Sequence, residues 1–231
     1  MDASYPSPDT EPVNHPPPSG RELLRIHLRT LFRLDVRGRL RAVNEPGGRL
    51  APRIHVASAG GERIVRTRAD LPELVARAWL ACATETELRE KVAAHAEVTH
   101  EYRGPAFVLP SLAAPEGAVP VGPATLLHPE LVARGWKRDE QGPYFGVVRE
   151  GLVVSVCYSS RLSPEAAAAG VETVTAYRGQ GLVLEAIRAW AASVQAGGRL
   201  AFYSTEWTNE ASRRVAAKLG ALEFGEDWHL T

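Results

Sequence analysis

Cysteine is nearly absent from this chain: among 231 residues only Cys82 and Cys157 occur, far apart and in no CxxC pair. That scarcity excludes a disulfide framework and suggests no zinc site, so no metal is expected. Lysine is scarce too. Lys91, Lys137 and Lys218 are the whole set, and arginine supplies nearly all the positive charge. Neither sign is in excess, since Lys+Arg and Asp+Glu both number 27. With no net field, a long-range pull towards nucleic acid or an anionic membrane is not expected. No apolar run nears the ~18 residues of a membrane-spanning helix, and no basic-then-apolar leader opens the chain. The expectation is a cytoplasmic enzyme or binding protein with reduced thiols. A hydrophobic share of 45% against 23% charged is ordinary for a protein that buries a core.

Six prolines, Pro6, Pro8, Pro12, Pro16, Pro17 and Pro18, fall within residues 1–20 among polar neighbours. Such a segment cannot form a packed element and reads as a disordered tail. From Arg21 a helix is expected, with Leu24, Leu28, Leu31 and Phe32 at helical spacing. Arg21, Arg25, Arg29 and Arg33 line another face, which reads as a solvated stripe or, alternatively, a dock for an acidic partner. Three β-like runs follow at 39–43, 53–58 and 62–68, then two helices in "DLPELVARAWLACA" and "TELREKVAAHAEV", the first with Asp70 as its expected cap. The proline- and glycine-rich stretch 109–129 reads as a connector, and a domain boundary is placed there. Residues 21–110 thus form an N-terminal accessory α/β region and 111–231 a second domain.

Beyond the connector, strands at 144–150 and 152–161 join at Glu150-Gly151, a hairpin signal. "LSPEAAAA" reads as a link to a strand opening at Gly170. The β-branched run Val171–Thr175 then meets "YRGQG" and a helix carrying Val183, Ile187, Trp190 and Val194. A strand at 200–205, a helix with Ala211, Val215 and Leu219, and a last strand complete a mixed α/β domain. "YRGPAFVL" at 102–109 echoes "YRGQGLVL" at 177–184, but Pro110 forbids the long helix that the second copy opens.

A glycine turn between a strand and a helix aims unpaired N–H groups and the positive end of the helix dipole, roughly +0.5 charge, at one spot. Gly179 and Gly181 let the backbone approach an anion, and Arg178 adds a fixed charge. Phosphate is the natural guest. A P-loop lysine is missing, and position 184 is Leu where a dinucleotide fingerprint needs a third glycine.

Arg178-x-x-Gly181-x-Val183 resembles the acyl-CoA pyrophosphate loop of the GNAT acetyltransferases. "TEWTNEASRRVAAKLGA" is similar to that family's later helix motif, through Asn209, Ser212, Lys218 and Gly220. The resemblance covers roughly residues 140–231 and implies a GNAT-like mixed sheet flanked by helices, with acetyl-CoA as cosubstrate. Backbone groups of Val171 and Thr173 would pair with the pantetheine arm. N–H groups of Gly179, Gln180, Gly181, Leu182, Val183 and Leu184 would hold the pyrophosphate, with Asn209 and Ser212 nearby. Val183 departs from the family's Gly or Ala. Ala216 stands where many members carry the tyrosine that protonates the leaving thiolate.

Transfer to a protonated amine gains roughly 10²–10⁴-fold from a positioned base. Glu172 is the candidate, its side chain projecting opposite to those of Val171 and Thr173; the bland alternative is a structural pair with Arg178. Tyr203, Ser204, Tyr158 and Cys157 are candidate acids, though a strand-buried Cys157 would be inert, and Ser204 could position a water. Trp207, Tyr144 and Phe145 are candidate linings of the acceptor pocket, Trp190 reads as core, and His229 reads as a strand or surface residue. The expectation is an N-acetyltransferase acting on a small-molecule or peptide amine by direct transfer, with a non-catalytic acyl-CoA-binding module as the alternative. No nucleic-acid or membrane partner is expected. Residues 21–110 are open to three roles: substrate binding, a homodimer contact, or completion of the core.

Overall fold

The computed structural model describes residues 18–136 and 142–231. The proline-rich tail therefore lies outside the described residues up to position 17, and Lys137 does also. Ser19 caps a helix, accepting from Glu22 N–H at 3.3 Å, so the tail gives way to α1 (Gly20–Leu31) at its last expected residue. Strands β1 (Phe32–Leu34) and β2 (Leu40–Val43) make a small sheet of their own. Then come β3 (Ile54–Ala59), β4 (Glu62–Thr67), α2 (Glu73–Leu80), α3 (Glu85–His95), β5 (Glu101–Val108), β6 (Ala118–Pro120) and α4 (Pro129–Ala133). The rest is β7 (Tyr144–Arg149), β8 (Leu152–Leu162), β9 (Ala166–Thr173), α5 (Leu182–Ala196), β10 (Leu200–Ser204), α6 (Glu210–Lys218) and β11 (Leu222–Leu230).

Among the described residues nine strands form one mostly antiparallel sheet in the order β4-β3-β11-β5-β10-β9-β8-β7-β6, flanked by helices. This is the mixed α+β class expected. The sheet crosses the boundary placed near residue 110: β5, from the N-terminal side, hydrogen-bonds to β10 and β11 from the other. The N-terminal region thus completes the sheet, and the 109–129 connector separates no two sheets.

Two helices cover the middle of the sheet from opposite faces. α5 buries Ala186, Ile187, Trp190, Ala191 and Val194 against β7 to β10, and α1 buries Leu23, Leu24 and Ile26 on the other side. The alanine run expected as a link is instead the start of β9. Ala166 and Ala168 pack with Leu23, Ile26 and Phe202, while Ala167 faces the α5 core. Alanine is a poor strand former, but its small side chain lets a helix close on each face, and packing overrides propensity here. Trp190 is core as expected, its indole N–H donating to Ser159 Oγ at 3.0 Å.

Other expectations shift. Asp70 does not cap α2; its carboxylate accepts from Arg68 Nε at 2.7 Å, and Pro72 holds the capping position without a side-chain acceptor. The arginine stripe of α1 stays exposed, with Arg21 paired to Glu62 at 2.8 Å and Arg29 to Glu165 through two bonds of 3.0 and 2.8 Å at the surface. The hairpin at Glu150-Gly151 forms with φ of 50° and 78°, the left-handed pair that a two-residue turn favours. Among the described residues no helix is long and apolar enough to cross a membrane.

If β9 needs alanine for this two-sided approach, Ala167→Leu should overpack the α5 interface. The expected loss is about 1–3 kcal/mol in urea unfolding, and an unchanged midpoint would refute the packing account.

Candidate active site

β9 and β10 are the one parallel pair among the described strands, and their pairing is brief. It runs through Leu200↔Ala166, Ala201↔Ala167 and Phe202↔Ala168, then stops. β9 continues on β8 to Thr173 and β10 continues on β5 to Ser204, so each strand keeps its outer neighbour and leaves the inner one. A cleft of about 560 Å³ opens where they part, at their carboxyl ends. Its walls are Val171, Glu172 and Thr173 on β9, Tyr203 on β10, the loop from Tyr177 into α5, and the Asn209–Lys218 face of α6.

The loop is built by its glycines. After a single 3₁₀ turn over Thr175–Tyr177, Gly179 adopts φ 78° and Gly181, the residue before α5, adopts φ 79°. A Cβ at Gly179 would meet nothing within 4 Å, and one at Gly181 only Leu184 Cδ1 at 4.0 Å. The requirement is the left-handed backbone rather than crowding. The turn sets the N–H groups of Leu182 and Val183, which have no intrahelical partner, at the cleft wall, while that of Leu184 donates to the Gly181 carbonyl at 2.9 Å. Arg178, Arg214 and Lys218 add positive charge around the same space, and Glu172 is the one acidic side chain lining it. An anion of phosphate type fits these donors.

Glu172 does pair with Arg178, at 3.1 Å, and also with Arg134 of α4 at 2.9 Å. The Thr173 N–H donates to it as well, at 3.0 Å. Among the described residues all three contacts fall on Oε1, which leaves Oε2 as the open acceptor. Arg134 is further held by Glu130 at 2.6 Å and by Thr175 Oγ1 at 3.0 Å. Thr173 Oγ1 lies 2.8 Å from Ser155 Oγ, and its carbonyl accepts from Arg178 Nε at 3.1 Å.

Tyr203 lines this cleft beside Ser212. Burial, offset in part by a hydrogen bond with Ser212, raises the phenol pKa and keeps its proton in place at neutral pH. Asn209 caps α6 through its side chain, accepting from Ser212 N–H at 3.1 Å. Leu182, Val183 and Leu184 line the cleft. The Gln180 side chain turns away to the Ala176 carbonyl. Ser204 is not in this cleft: strand alternation sends it to the opposite face, into a second cavity of about 530 Å³ with Tyr102, Asp227 and His229.

The remaining candidates sort by burial. Cys157 is fully buried and burial pushes its thiol well up, as an inert core cysteine. Trp207 does not line either cleft, because its indole N–H is tied to Glu226 at 2.6 Å and Arg213 lies over its ring. Tyr144 and Phe145 belong to the main core and are likewise absent from both walls. His229 is a strand residue, largely buried and stacked on Tyr102 at 4.9 Å. Sequence reasoning missed Arg134, which lies just past the supposed connector, and the buried group His27–Asp227–His55. Asp227 accepts from His27 at 2.7 Å and lies 3.2 Å from His55. Partners 200 residues apart carry no local signal.

Several solved GNAT acetyltransferases are similar to this chain. A protein described as a GNAT-family acetyltransferase from Novosphingobium aromaticivorans is 23% identical, with 58% of this chain and 65% of that one covered and a TM-score of 0.49. This chain thus spans just under two thirds of that protein. A GCN5-related N-acetyltransferase-like protein from Streptococcus suis is 14% identical over 78% of this chain and 85% of its own, with a TM-score of 0.49. A GCN5-related N-acetyltransferase from Kribbella flavida is 19% identical over 92% and 94%, with a TM-score of 0.46. No family model matches the chain, and no curated protein matches it.

One pH dependence follows from the second cavity. Burial foremost, and then the neighbouring His55, lower the His229 pKa from 6.5 to about 3. Between those values the unfolded chain binds a proton that the folded one does not, so stability is complete above pH 6.5 and falls as pH drops through the window. His229→Phe, which keeps a ring on Tyr102, should flatten the difference in urea stability between about pH 6.5 and pH 4. An unchanged slope would assign the dependence to other groups.

Proposed function

We propose that this chain is a GNAT-type N-acetyltransferase that moves an acetyl group from acetyl-CoA to a primary amine by direct transfer in a ternary complex. The observation that carries this reading is the junction of the parted parallel strands with the glycine turn and N-terminus of α5. It joins an anion cradle to a slot with open strand backbone, which is the combination that a pyrophosphate on an extended arm requires. The fit is supported by the cleft volume of about 560 Å³ and by Arg178, Arg214 and Lys218 around it. Bound there, acetyl-CoA supplies an acetyl group already activated as a thioester.

The chain's own groups have distinct parts in the reaction. The loop N–H groups of Gly179 to Val183, with Arg178, hold the anionic end. The edge of β9 beyond Ala168 holds the extended arm at Val171, whose N–H is offered to a developing oxyanion; at Thr173 the N–H and carbonyl are engaged by Glu172 and Arg178 and would have to exchange those bonds for the arm. Tyr203 is the candidate donor to the departing thiolate, taking the role for which Ala216 has no hydroxyl. Glu172, with Oε1 pinned by Arg134 and Arg178, presents Oε2 to the cleft as the base. Removing the amine's proton there leaves the lone pair free to attack.

A second reading, a non-catalytic acyl-CoA-binding module, draws support from Ala216, which is buried on α6. Acetyl-CoA at 100 times its Kd should stabilise the protein by about 2.7 kcal/mol, and no thermal shift at excess would defeat both readings. Binding without release of free CoA across a broad amine panel would favour the module. For the base, Glu172→Gln should lower kcat at pH 7 by about 10²-fold or more with acetyl-CoA affinity nearly intact. An unchanged rate removes Glu172 from the chemistry.

A further inference from the structure

The second cavity lies directly behind the first. Tyr203 and Ser204 are consecutive on β10 and face opposite sides of the sheet, so the two spaces share the end of one strand. Since β9 and β10 have already parted at Phe202 and Ala168, no strand pairing closes the sheet between them at that level. The rear cavity, about 530 Å³, sits between the sheet and the β1–β2 hairpin with its following loop.

Its walls differ in kind. One side is apolar, formed by Leu31, Phe32, Val43, Leu50 and Pro52. The inner floor carries hydrogen-bonding groups of negative or neutral character. Burial raises the Tyr102 phenol pKa well above the ordinary value, offset only in part by the Ser204 hydroxyl, so it is uncharged. His229 is neutral, stacked on the Tyr102 ring. Asp227 is buried with its Oδ1 in no hydrogen bond, and His27 and His55 hold its carboxyl well below the usual range despite burial. The rim is positive. Arg49 and Arg161 both close on the single carboxylate of Glu45, Arg161 at 2.9 Å, leaving two guanidiniums against one carboxylate. Arg49 is largely exposed and Arg161 largely covered, so the excess charge faces the cavity mouth.

We infer that this rear cavity holds the acyl acceptor, and that the acceptor is a small amine carrying a carboxylate on an apolar body. The inference rests on the acetyltransferase reading. The carboxylate meets Arg49 and Arg161 at the rim, where a guanidinium gives a charge-assisted, directional bond. The body lies on Phe32, Leu50 and Pro52. The amine points inward past Ser204 and Tyr102, whose oxygens and the Asp227 carboxylate accept N–H groups, towards the gap between β9 and β10. A neutral or purely cationic amine would leave the rim unmatched.

The test uses the full-length protein and four probes with amine and carboxylate at opposite ends of an apolar body: 6-aminohexanoate and 4-(aminomethyl)benzoate, each against its carboxamide, with binding measured by ligand-observed NMR in the presence of CoA. Each acid should bind about tenfold or more tightly than its amide. Arg49→Gln, at an exposed position that leaves the fold intact, should bring that ratio close to one while keeping the acetyl-CoA thermal shift. Equal binding of acid and amide, no binding of any probe, or an acid preference that survives Arg49→Gln would each overturn the inference. If acetyl-CoA shifts the melting temperature and the acid preference is absent, this inference alone falls. If the preference holds but acetyl-CoA gives no shift, the acceptor role falls with the acetyltransferase reading.

Discussion

The parallel contact of β9 with β10 lasts for three residue pairs, and the chemistry of the molecule is arranged around where it stops. Up to Ala168 and Phe202 the two strands are pressed together by α1 on one face and α5 on the other. Ala166, Ala167 and Ala168 make that possible, because any larger side chain would hold one helix off the sheet. Past that point each strand follows its outer partner. The slot left between them lies at the carboxyl ends of parallel strands, which is where α/β architectures leave a crevice that no side chain fills. The crossover through α5 brings a helix N-terminus to the same place.

Charge is distributed to match this geometry. On the α5 side the open space is bordered by a helix N-terminus and by Arg178, Arg214 and Lys218, with Glu172 the lone acid. That acid is held rigid by Arg134 and Arg178, and its free oxygen is set apart from the bound one. On the α1 side Asp227 is buried between two imidazoles, while the carboxylate of Glu45 is shared by the exposed Arg49 and the covered Arg161. A buried carboxylate without such partners would lose its charge. β10 divides these environments by alternation alone, with Tyr203 facing one and Ser204 the other.

Some of this was legible residue by residue. The Gly179 and Gly181 turn, the apolar stripe of α5 and the Glu150-Gly151 hairpin all depend on φ preferences or on periods of 3.6 and 2, which are properties of a few neighbouring residues. The alanine strand was misread because propensity describes an isolated segment, and Ala166–Ala168 are strand only because two helices close over them. Asp70 was misread as a cap because Arg68, two residues earlier, competes for its carboxylate. The boundary near residue 110 failed to divide the sheet for a different reason. A proline-rich connector marks where the chain leaves an element, and it carries no information about which strands the elements on either side will pair with.

The sequence by itself determined the local devices: a glycine turn that can cradle an anion, a helix that begins there, and a strand carrying one acid. Backbone sterics and short periodicities suffice for each. Only the tertiary structure decided that β5 inserts between β10 and β11, that Arg134 clamps Glu172, and that Ser204 turns its back on Tyr203's cleft to share a cavity with Tyr102, Asp227 and His229. Those arrangements join residues tens to hundreds of positions apart. They are fixed by hydrogen-bond pairing across the sheet and by burial of charged groups against one another, which no local stretch of the chain encodes.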